Sequence, residues 1–145
     1  MGARLVERTF DDGVRLLASP SEGIGFGPDL KLSFSFHIEP IVEDGMWRLA
    51  TRRYDFTLTR STRPIEIVFA WHWHPASKQS RITYPHVHVP SASRFNTRHI
   101  PTGRVSLEDI ILFGFDDLGV NQAHPDAHKT VTEVRDRHKK YQTWH

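Results

Sequence analysis

Along DLKLSFSFHIE, residues 29 to 39, apolar and polar side chains alternate without a fault: Leu30, Leu32, Phe34, Phe36 and Ile38 fall on one parity, Lys31, Ser33, Ser35, His37 and Glu39 on the other. Successive side chains of an extended chain point to opposite faces, so this stretch reads as a strand buried on one face. The period recurs. After the turn tract EDG, the run RLATRRYDFTLT sets Tyr54, Phe56 and Leu58 against Asp55 and Thr57. IEIVFAWHWH then sets Ile65, Ile67, Phe69, Trp71 and Trp73 against Glu66, Val68, Ala70, His72 and His74. A shorter run, ITYPHVHV, opposes His86 and His88 to Val87 and Val89. Pro85 and Pro90 mark it as an edge or a bulge, because proline cannot donate to a ladder.

Helical patterns flank these strands. Thr9 followed by Asp12 has the spacing of a capping box, and Val6, Phe10, Val14 and Leu17 fit one helical face. Ser106 and Asp109 repeat the cap, with Leu107, Ile110, Ile111 and Leu118 on one stripe before Gly119. Pro125 opens a last helix reaching about Tyr141, whose thin apolar stripe of Ala127, Val131, Val134 and Tyr141 suits a surface or partner-binding helix. The expected fold is α+β: a four-stranded, mostly antiparallel sheet with an N-terminal helix and two C-terminal helices, in a single domain over residues 1–145. The glycine-rich GIGFG at 23 to 27 follows no predicted strand and lacks a phosphate-loop lysine, so it reads as a loop.

Composition narrows the chemistry. With 38% hydrophobic and 25% charged residues the chain lies in the globular range. It has no apolar run of membrane-spanning length and no secretory n-, h- and c-region order, so the expectation is a cytoplasmic protein without a membrane partner. The absence of cysteine excludes disulfides, thiolate catalysis and every cysteine-based metal site, which leaves histidine and oxygen as metal ligands. Charge is segregated. Residues 48 to 104 hold ten basic side chains against two acidic ones, whereas residues 1 to 47 hold four against eight. Nine of the ten are arginine, whose planar fork suits phosphate, and Arg52, Arg53, Arg81 and Arg98 are the candidates for a phosphate-binding face.

Both His-x-His pairs, His72/His74 and His86/His88, lie in that basic block. Residues two apart on a strand share a face, so each pair presents two imidazoles side by side, and hairpin neighbours would put all four together with Asp55 and His37. Three chemistries fit. Four neutral imidazoles suit zinc or another transition metal, with His72, His74, His86 and His88 as ligands. The same four residues suit metal-independent acid/base cleavage of an RNA backbone: one takes the 2′-hydroxyl proton, one protonates the leaving oxygen, and arginine stabilises the phosphorane, with Tyr84 and His99 assisting. Third, they form a binding surface without chemistry.

The ordered set FAWHWHP, YPHVHVP and SLEDII resembles the small toxins of the TumE type from toxin–antitoxin pairs, over about residues 54–113. Members of that group carry an aromatic-His-aromatic strand, a Pro-His segment with a second histidine, and a following helix that begins Ser-Leu-Glu. They usually have an acidic or amide residue where His74 stands, so the resemblance transfers His72, His86 and His88. It implies a toxin or defence role with an antitoxin protein as partner, while RNA as a target is what the basic, histidine-lined face suggests. The leading expectation is a ribonuclease that needs no cofactor. The alternatives are a non-enzymatic RNA- or protein-binding module of such an operon, or a His-ligated metalloprotein.

Overall fold

The structure, a computed structural model, describes residues 5–11, 13–75, 82–90, 93–94, 98–141 and 143–144. Two long strands organise it: β4 (Leu30–Glu43), which follows three short strands, and β5 (Met46–Arg60). They form a hairpin whose two-residue turn, Asp44-Gly45, has φ of 51° and 73°. A turn with both central residues left-handed matches the twist of the flanking strands, which is why the EDG tract turns the chain so tightly. β6 (Glu66–Trp73) pairs antiparallel with β5, β7 (His86–His88) with β6, and β8 (Ile100–Pro101) with β7.

On the other flank the expected N-terminal helix is absent. Residues 6 to 18 instead form a hairpin, β1 (Val6–Thr9) and β2 (Arg15–Ala18), with β2 against β4 in the register Arg15↔Ile38 to Ala18↔Ser35. Gly13 sits at φ 82°, its N–H donates to the Phe10 carbonyl, and the Phe10 N–H donates to the Val14 carbonyl; this is a turn and no start of a helix. Thr9 ends β1 without capping anything, and Asp12 lies outside the described residues. Pairing with a formed β4 edge supplies backbone partners that a lone amphipathic turn could not, so tertiary context overrides the 3.6-residue pattern. Nor is the sheet four-stranded. Seven strands run in the order β1-β2-β4-β5-β6-β7-β8, with β3 (Ile24–Gly25) also on β4 and β9 (Thr143–Trp144) parallel to β5.

One face carries the core. Leu30, Leu32 and Phe34 of β4, Tyr54, Phe56 and Leu58 of β5, and Trp71 and Trp73 of β6 are buried beneath α1 (Leu107–Asp116), which inserts Ile110. α1 starts with the full reciprocal box: the Asp109 N–H donates to Ser106 Oγ and the Ser106 N–H donates to the Asp109 carboxylate. Its lead-in is tied to the sheet, because the Val105 N–H donates to the hydroxyl of fully buried Tyr54 at 3.2 Å. α1 comes close because Gly114 has no side chain: a Cβ there would lie 2.2 Å from the Phe26 ring. α2 (Ala127–Tyr141) buries no residue fully and is held to α1 by polar pairs, His138 to Glu108, Lys139 to Asp109 and His128 to Asp116.

Candidate functional site

On the face away from α1, the register builds a polar row across four strands. Ser35 opposes Asp55, Asp55 opposes His72, and His72 opposes His86. His74 and His88, each two residues along its strand, share that face as the parity of a strand requires. The rings of His72 and His88 have centroids 5.1 Å apart, those of His86 and His88 5.1 Å, and those of His72 and His86 5.6 Å. One ring nitrogen from each of these three can be chosen so that all lie within 4.8 Å of one another.

Local hydrogen bonds aim the rings. His86, only 6% exposed, donates from Nδ1 to the Tyr84 carbonyl at 3.0 Å. A carbonyl only accepts, so the Nδ1 proton is fixed and Nε2 keeps its lone pair. His74 is engaged elsewhere: its Nε2 lies 2.6 Å from Asp55 Oδ1, while Asp55 Oδ2 accepts from Arg53 and from Ser35 Oγ. The structure thus brings His72, His86 and His88 together and turns the fourth expected member, His74, towards Asp55.

Protonation follows from burial and neighbours. Burial, added to by the charges of His88, His74 and His86 and opposed by Asp55, pushes His72 down to about 4. Burial also lowers His86 against the pull of the Tyr84 carbonyl. Burial alone would raise Asp55, but the charge and hydrogen bond of His74, together with Arg53, outweigh it and hold the carboxyl below its ordinary value. At neutral pH His72 and His86 are therefore neutral imidazoles beside a carboxylate.

Among the described residues, four arginines of the basic block are ion-paired. Arg52 binds Glu39, Arg53 binds Asp55, Arg48 binds Glu43, and Arg60 binds Asp29 and Glu66. A β-bulge between His37 and Ile38 opposite β5 leaves Arg52 unpaired in the ladder, so both Arg52 and Arg53 reach carboxylates. Arg104 lies over the Trp73 ring at 4.2 Å. Of the other expected phosphate ligands, Arg98 is exposed beside His99 and Arg81 lies outside the described residues. Acids of β4 pair with arginines of β5 because segments of opposite charge in the sequence are neighbours in the sheet.

Three imidazoles at these spacings could hold a metal ion. Two rings on one tetrahedral ion, with metal–nitrogen bonds of about 2.0–2.1 Å and the ring centre about 1.1 Å further out, have centroids roughly 5 Å apart. The observed separations match that figure. Sequence reasoning gave His99 only an assisting part, yet its ring stands 4.8 Å from that of His86 and 4.6 Å from that of His88. The signal was weak: β8 is two residues long, too short to show alternation, though a strand so placed puts His99 level with His88.

No family model, curated protein or solved structure matches the chain. The resemblance to TumE-type toxins therefore stands on its quoted residues alone. Among the described residues, no helix is long and apolar enough to cross a membrane.

Proposed function

We propose that the protein binds one divalent transition-metal ion through His72, His86 and His88 and uses it to activate water for attack on a substrate at the histidine face of the sheet. The observation that carries this reading is the convergence of three ring nitrogens within 4.8 Å on a single face. A set of three histidines with a further position for water is the donor pattern of catalytic rather than structural zinc sites, where the ion lowers the pKa of its water towards 7. Two supports come from outside the triad. The Tyr84 carbonyl fixes the His86 tautomer, as partners behind metal-bound histidines do. Ion pairing of Arg48, Arg52, Arg53 and Arg60 also removes much of the repulsion a cation would meet.

Metal-free cleavage of RNA draws on the same side chains but asks other things of them. It needs one histidine as an imidazolium near neutral pH and arginines open to phosphate. Burial keeps His72 and His86 neutral, and Arg52 and Arg53 are engaged with carboxylates. Calorimetric titration of the chelator-stripped protein with zinc tests the choice. The expected result is one equivalent bound, with at least about a hundredfold loss of affinity in His72→Ala or His88→Ala, since each removes a ligand bond. Absence of zinc binding in the parent chain would end the metal reading. RNA cleavage persisting in chelator would favour the acid/base one.

A further inference from the structure

The three histidines leave open what occupies the fourth position of the ion, and one side chain lies nearest to it. Antiparallel pairing of His86 with Pro101 and Val87 with Ile100 sets the chain so that the next position back, His99, comes level with His88 on the histidine face. Its ring centre is 4.8 Å from that of His86 and 4.6 Å from that of His88, close to the separation expected of imidazoles on one ion. His99 is exposed, whereas His86 is buried and His72 and His88 are half-buried. His74 is set apart from the position: its Nε2 faces Asp55 at 2.6 Å, and it does not belong to the convergent three.

We propose that His99 is a displaceable fourth ligand, closing the site in the resting protein and yielding its position to water or to an anionic substrate. The inference rests on the metal reading above. Its nitrogen does not belong to the convergent three, so coordination needs a rotation of the exposed ring. A ligand that is exposed and lies just before a two-residue strand is held by less packing than the other three, so it is the one to leave.

Cobalt(II) titration of the full chain, followed by visible absorption, tests this. The parent should take one equivalent with a four-nitrogen spectrum. His99→Ala should still take one equivalent, bind it about tenfold or more weakly, and respond to azide at lower concentration, because water replaces the imidazole. His99→Asp, which offers an oxygen ligand, should recover part of the affinity with a shifted spectrum. A His99→Ala spectrum, affinity and azide response indistinguishable from the parent would overturn the inference while leaving the three-histidine site standing. A parent chain that takes up no cobalt would overturn both.

Discussion

Two histidines of this chain are displaced in opposite directions, and the difference lies in what each faces. Burial, with the neighbouring imidazoles adding to it, lowers His72 to about 4. His138 on α2 faces Glu108, whose hydrogen bond raises it above the ordinary 6.5, and the same bond is the main cause holding Glu108 down to about 2 against an ordinary 4.5. For His138 the stabilisation is fully present below about 6.5 and is lost as pH rises through its raised folded value. For Glu108 it is present above about 4.5 and is lost as pH falls towards 2. The pair therefore stabilises most between about pH 4.5 and 6.5, by about 1 kcal/mol once partial exposure is allowed for. Thermal unfolding of the parent and of Glu108→Gln across pH should show the largest gap in that window and a shrinking one at either side. A gap constant with pH would mean that the pair is not coupled. Neither displacement was legible in the sequence, since each depends on a partner thirty residues away or on another strand.

Among the elements, those with long alternation were readable and the short ones were not. Leu30 to Ile38 and Tyr54 to Leu58 each give at least three same-face apolar residues, enough to identify a strand and its buried side. Four-residue β1 and β2 give too few, and Val6, Phe10, Val14 and Leu17 of the hairpin and its turn match a helical stripe by coincidence. What decides between the two is the free edge of β4, which no local window contains. The α1 box of Ser106 and Asp109 was readable because it is local. Gly114 within α1 is the contact point with Phe26. Gly114→Ala should gain about 1 kcal/mol of helix propensity yet lose more than that by overpacking, for a net destabilisation of about 1–2 kcal/mol. Chemical denaturation measures it. Phe26→Leu in the same chain should recover part of the loss, and a stabilised Gly114→Ala would mean that the Phe26 ring moves aside without cost.

Over the whole molecule, the sheet pairs arginines of β5 with acids that the sequence keeps in a separate segment. Ten basic residues between 48 and 104 suggested a phosphate face, but charge along a sequence says nothing of which acids will lie beside it until the strand order is known. With β4 next to β5, Glu39 and Glu43 meet Arg52 and Arg48. The histidine face survives this neutralisation because it depends only on strand parity and on β6 and β7 being neighbours, both of which the spacing of His72/His74 and His86/His88 already suggested. The central claim is that one ion sits among His72, His86 and His88. Anomalous diffraction from a crystal grown with zinc, recorded on both sides of the metal edge, locates that ion directly. The account predicts one strong peak bonded to a ring nitrogen of each of the three, at about 2.0–2.1 Å. Zinc bound only elsewhere, for instance at His124 or His128 near the start of α2, or no anomalous peak at the three histidines in zinc-soaked crystals, would contradict it.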